Sequence, residues 1–240
     1  MSETRDSDTG SVEIDRVEID RERQSAFLGT MTGIMNGGAL ALMMSIGHKT
    51  GLFDAMSTME PADSHAIAAK AELDERYVRE WLAALTAGGV VDHDSDAGTY
   101  HLPPEHAGLL TRAAGPLNLT TYCQYVALLG QVEDEVVEAF QNGGGVPYDR
   151  YPQFQSLMAE SSFQRLEKSL ISQVVPLLPD GSTWLEGGID VADVGCGSGR
   201  ALNMLAEAFP TSVFEGFDIA DAALERGRSE ATEKGNKNIT

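Results

Sequence analysis

The stretch Val191-Ala192-Asp193-Val194-Gly195-Cys196-Gly197-Ser198-Gly199 decides how this chain is read. Ile189 to Val194 is a short apolar run interrupted by Asp190 and Asp193, and it passes straight into three alternating glycines. A helix is expected from Arg200, with Ala201, Leu202, Met204, Leu205 and Ala208 as its inner face and Pro210 as its end. Strand, glycine-rich turn and helix in this order make a site for a nucleotide-type cofactor. The N–H groups at a helix start point toward a ligand, and glycine has no Cβ to hold the ligand off the main chain.

Downstream, Val213–Phe217 reads as a second strand with Asp218 at its end, 23 residues after Gly195. A carboxylate there can accept from two ribose hydroxyls. Asp221 is expected to cap a helix over 222–234, which Gly235 stops, and Asn238-Ile239-Thr240 to begin a third strand. The order β-α-β-α predicts a parallel sheet. The turn reads G-x-G-x-G, and Arg200 stands where the nicotinamide and flavin fingerprint has its third glycine. No Walker A string occurs. Asp193, two residues before the first glycine, suits a cationic ligand better than a pyrophosphate.

Upstream, residues 1–24 read as an acidic disordered arm in which Val12–Arg16 repeats as Val17–Arg21. Residues 24–47 carry no charge and are long enough to span a bilayer. The polar break Asn36-Gly37-Gly38 instead predicts two short buried helices, over 25–35 and 38–50. Leu52 and Phe53 are expected to pack locally. Asp63 caps a helix at 64–71 and Asp74 one at 75–87, with Tyr77, Val78, Trp81, Leu82 and Leu85 as the apolar set of the second. Val90-Val91, a polar turn and Thr99–Leu102 read as a hairpin. Helix, helix, hairpin is the order of a winged helix-turn-helix. Helices are expected over 104–112, 117–130, 131–141 and 152–175. Gly143–Pro147 breaks the third from the fourth, Pro152 suits the first turn of the fourth, and Asp180-Gly181 forms a turn. The fold class is α/β. A helical and winged-helix domain (25–115) and a helical linker (116–180) precede the first part of a Rossmann-like parallel sheet (181–240).

Composition narrows the functions. Among 240 residues, 37 are acidic and 17 basic, a net charge of −20. Such a chain repels phosphate backbones and anionic membrane surfaces. Between Asp63 and His101 there are eight acids and three bases, so DNA binding by the winged helix, with Arg76 and Arg79 on its second helix, is disfavoured and packing or dimerisation is expected. Two cysteines, Cys123 and Cys196, make no disulfide scaffold and fit a reducing cytoplasm. Five lysines against twelve arginines, with the carboxylate excess, fit a salt-loving host as well as a plain acidic protein. The first 24 residues have the wrong charge for a signal or transit peptide. His48, His65, His93, His101 and His106 fall in no metal-ligand spacing, and Cys196 has no histidine beside it in sequence.

Val191–Gly199 resembles motif I of the class I S-adenosylmethionine-dependent methyltransferases, and Phe217-Asp218-Ile219 resembles their second motif. Gly51-Leu52-Phe53-Asp54, Tyr77–Leu82 and Tyr100–His106 resemble the subgroup with an N-terminal winged helix, whose members are often labelled transcriptional regulators. The resemblance implies S-adenosylmethionine as cofactor and a small-molecule methyl acceptor. It implies that Gly195, Cys196, Gly197 and Gly199 form the cofactor loop, with Asp193 near the ammonium group, Asp218 on the ribose and Ile219 on the adenine. It places Tyr148, Tyr151, Phe154 and Met158 beside the cofactor and acceptor pocket, and it assigns no general base. A homodimer through the N-terminal helices is expected. The alternative reading is a winged-helix regulator that uses the glycine-rich half-site as a sensor. The family's sheet has seven strands, whereas 49 residues after Val191 hold two and the start of a third. The chain is therefore expected to be the N-terminal portion of a longer enzyme, inactive alone.

Overall fold

The computed structural model describes residues 19–151, 153–166 and 168–240. Most of the expected arm with its repeat, and the place of Pro152, lie outside these residues. The chain divides into two units after Gly37.

In residues 19–37, Asp20 opens helix α1 (Arg21–Thr50), its Oδ1 accepting from the N–H of Glu22 and of Arg23 at 3.0 Å each. Phe27, Leu28, Ile34 and Met35 are exposed rather than buried. The expected break at Asn36-Gly37-Gly38 does not occur. A glycine costs a helix about 1 kcal/mol, too little to interrupt a run of good helix formers on both sides. Among the described residues, α1 has the length and apolar composition to cross a membrane.

From Gly38 on, the end of α1 packs on the first core through Leu40, Met43 and Met44, and buries Ser45, Gly47 and His48. That core belongs to α2 (Leu52–Met56), α3 (Ser64–Ala71) and α4 (Glu75–Ala87). Asp63 and Asp74 cap the last two as expected, accepting from Ala66 N–H and Arg76 N–H. Val78, Trp81, Leu82 and Leu85 line the buried face of α4, each side chain contributing about 1.5–3 kcal/mol by leaving water. Tyr77 does not join them; at the edge of that face it turns to water and is 73% exposed. The Trp81 indole donates to Met43 O at 2.8 Å, tying α4 to α1. The hairpin is β1 (Asp92–Asp94) with β2 (Thr99–His101), antiparallel, and Ala62 pairs with Tyr100 to extend it. The first strand starts at Asp92, not Val90, because Val91 is drawn into the core.

Four helices follow: α5 (Pro104–Leu110), α6 (Thr120–Gly130), α7 (Glu133–Asn142) and α8 (Phe154–Leu166). The fourth is shorter than expected. Leu170–Val174 forms a wider π turn and Val175–Leu177 a 3-10 turn, because Pro176 clashes with a regular helix before it. Residues read as a turn open an unexpected helix, α9 (Gly181–Gly187), held down by buried Leu185.

The second core is the expected β-α-β-α unit: β3 (Asp190–Val194), α10 (Arg200–Ala208), β4 (Val213–Phe217) and α11 (Asp221–Lys234). The strands are parallel, Asp190 facing Val213 and Val194 facing Phe217. Ile239 bridges Phe214 in parallel, with Phe214 N–H donating to Asn238 O at 2.8 Å, so a third strand does begin there. The buried face of α10 is Leu202, Asn203 and Ala206; Ala208 is exposed, since the helix turns its Ala206 side to Phe214. Asp221 lies within the first turn of α11 instead of capping it. Among the described residues helices dominate, beside one antiparallel and one parallel two-stranded sheet.

Candidate functional site

The turn after β3 is built by glycine. Gly195, Gly197 and Gly199 have φ of 84°, 58° and 61°, a region that side chains with a Cβ rarely enter. The N–H groups of Gly195 and Cys196 both donate to Phe217 O, at 2.7 and 3.1 Å, which clips the turn to the end of β4. Asp218 completes the clip. Its Oδ2 accepts from Gly197 N–H at 2.7 Å and its Oδ1 from Ala220 N–H at 2.8 Å. Each oxygen keeps a lone-pair direction for a further donor.

Beneath the turn, Asn203 is fully buried. Its amide donates to Gly199 O at 3.3 Å and Gly227 O at 3.1 Å, and its oxygen accepts from Asn236 at 3.1 Å. A Cβ on Gly227 would lie 2.6 Å from Ser198 O, so only glycine lets α11 lie against the turn. Arg200 does what no glycine could. Its guanidinium sits 4.1 Å over the Phe163 ring of α8 and 3.3 Å from Glu230 of α11.

A cavity of about 860 Å³ opens above this turn. Of the residues singled out in the sequence, Gly195, Asp218, Ile219, Tyr148, Phe154 and Met158 line it. Tyr151 does not; it backs Phe154, ring centroids 6.1 Å apart. Gly197 contributes through its bond to Asp218, and Gly199 by starting α10. Asp193 is half-buried on β3, outside the lining, and the Cys196 side chain lines a separate small pocket with Leu202 and Gly216. Burial, then Asp193 and Asp218, push the Cys196 thiol up, which keeps it protonated. The sequence reading missed Asp149, Gln155 and Asp221 in the cavity wall, and Asn203 and Gly227 beneath it. Asp221 lay within reach, three residues past Asp218. Among the described residues no cluster of three or more His, Cys, Asp or Glu could hold a metal.

Residues 38–112 match the family model described as the Rv2258c-like winged HTH domain. Residues 185–240 match the one described as a methyltransferase domain. No curated protein matches the chain. Several solved structures share the fold. Mitomycin 7-O-methyltransferase MmcR has a TM-score of 0.65 at 17% identity over 92% of this chain. Human N-acetylserotonin methyltransferase, in complex with SAM, gives 0.59 at 13% over 93%. PigF, with SAH, gives 0.58 at 20% over 92%. The matched part spans 66%, 66% and 65% of those three chains, just under two thirds. Residues 38–112 are thus similar to a winged helix-turn-helix domain, and residues 185–240 to a methyltransferase domain.

Proposed function

We propose that the chain binds S-adenosylmethionine and serves methyl transfer to a small-molecule acceptor. The observation that carries this reading is the Asp218 carboxylate. It is clipped to the glycine-rich turn on one side and faces the 860 Å³ cavity on the other. The residues present fit the cofactor. Asp149, Asp218 and Asp221 bring negative charge to a cavity otherwise walled by Tyr148, Phe154, Met158, Phe217 and Ile219, which suits a cation with a flat aromatic base. Nothing lies within 4 Å of where a Cβ on Gly195 would be, which leaves the main chain open to approach. That two fold relatives are described with SAM or SAH supports the same choice.

In this reading Asp218 takes the ribose hydroxyls and Ile219 the adenine, with Gly195, Cys196, Gly197 and Gly199 as the loop; Asp193, outside the lining, reaches the ammonium end through water. The bound cofactor supplies a methyl group on a sulfonium. The chain's own part is to align and to exclude water: Tyr148, Phe154 and Met158 wall the side where an acceptor would enter. We assign no general base. A homodimer through the N-terminal helices and a cytoplasmic place belong to the same reading. They are supported by the exposed Phe27, Leu28, Ile34 and Met35 and by the two unpaired cysteines.

Calorimetric titration of the purified chain with S-adenosylmethionine and S-adenosylhomocysteine tests the proposal. Saturable binding that Asp218→Ala weakens about tenfold or more is expected, the loss of hydrogen bonds to a charged group. No binding by the wild-type chain overturns it.

A further inference from the structure

Helix α8 carries Phe154, Gln155 and Met158 into the cavity, and two residues past Met158 it carries Glu160. The Glu160 Oε1 lies 2.6 Å from Nε2 of His48, a side chain 98% buried at the end of α1, and its Oε2 accepts from Gln124 of α6 at 3.1 Å.

Counting protons fixes the state of His48. The backbone N–H of Thr120 donates to Asn118 Oδ1 at 3.0 Å, so that atom is an acceptor. The Thr120 hydroxyl lies 2.5 Å from the same oxygen and 3.2 Å from Leu110 O, both acceptors, so its one hydrogen goes to the nearer, Asn118 Oδ1. Thr120 Oγ1 is also 2.9 Å from His48 Nδ1, and with its hydrogen committed it can only accept. Nδ1 therefore bears a hydrogen. Nε2 faces a carboxylate, which only accepts, so Nε2 bears one too. The cations around the pair favour the charge on Glu160 and oppose the one on His48, and Asp54 neutralises one of them. Arg112 donates to His48 O and pairs with Asp54 of α2, and Lys49 follows His48 on α1. The His48 hydrogen bond, more than any other contact, holds the Glu160 carboxyl below the usual carboxylate range.

We infer that His48 is a doubly protonated imidazolium locked to the Glu160 carboxylate, a buried charged latch that positions α8 and with it the Phe154–Met158 wall of the cavity. Both are positioning residues, since neither lines the cavity. Loss of the Nε2 proton would turn a lone pair onto the carboxylate, and the attraction would become repulsion.

The latch is read without any ligand, so its failure and the failure of cofactor binding are separate results. Nitrogen NMR of histidine-labelled chain at pH 7, with His48 assigned through His48→Gln, should show both ring nitrogens of His48 carrying hydrogen. A neutral ring at that pH, with one unprotonated nitrogen, overturns the inference. Amide exchange along α8 gives the second readout. Glu160→Ala should speed it about tenfold or more. Glu160→Gln, whose amide can donate to a neutral Nε2 but brings no charge, should restore it only in part. Unchanged exchange in Glu160→Ala also overturns the latch.

Discussion

Asp218 holds the backbone N–H of Gly197 at 2.7 Å, so the residue that faces the cavity also fixes the turn below it. An uncharged amide at this position keeps one acceptor, loses the charge and turns its NH2 onto the second backbone N–H. Asp218→Asn is expected to cost about 2–3 kcal/mol of stability, one charged hydrogen bond made neutral and one N–H left without its acceptor, and to weaken S-adenosylhomocysteine binding. Urea unfolding and calorimetry on the same preparations check both.

Asn203 joins three pieces of chain with one side chain. Replacing it by alanine removes the amide's bonds to Gly199 O and Gly227 O and the one from Asn236, and leaves a void where a fully buried side chain stood. A loss of about 2–4 kcal/mol is expected by urea denaturation. A variant as stable as the wild type would show the clamp to be idle.

At Gly227 the obstacle to a larger residue is the backbone of Ser198, which cannot swing away like a side-chain tip. Gly227→Ala should lower stability by about 1–3 kcal/mol through overpacking. It should also displace the turn, which chemical-shift changes at Ser198 and Gly199 would report.

The Glu160 carboxyl is held low, chiefly by His48. A group whose folded pKa is depressed stabilises the fold above its unfolded value, about 4.3, and loses that contribution as pH falls through the folded value. Wild type should be more stable than Glu160→Gln at pH 6, and the gap should close in acid below about pH 4. Melting temperatures across that range give the curve.

Cys196 should react slowly. With its thiol pushed up by burial and two carboxylates, iodoacetamide at pH 7.5 should modify it about tenfold more slowly than a free cysteine. Mass spectrometry of the tryptic peptide follows the rate.

The sequence made plain whatever depended on near neighbours. The strands at 190–194 and 213–217, the glycine turn, the caps Asp63 and Asp74 and the position of Asp218 all follow from patterns within a few residues. Tyr77 was misplaced because a tyrosine at the edge of an apolar stripe fits either face. The break in α1 was misplaced because Gly37-Gly38 weakens a helix by an amount that packing elsewhere decides. Asn203, Gly227 and the His48–Glu160 pair, 112 residues apart, have no local signature at all. Their meaning comes from what the fold brings against them.

The clamp beneath the glycine turn has a kinetic consequence. Backbone hydrogen bonds from Gly195 and Cys196, the Asp218 carboxylate and the Asn203 amide hold the turn in its curved form from within the chain. A molecule arriving there meets a finished surface, so its capture spends little on ordering the protein. Encounter should then be limited by diffusion and orientation, and residence time, not arrival, should separate tight ligands from weak ones.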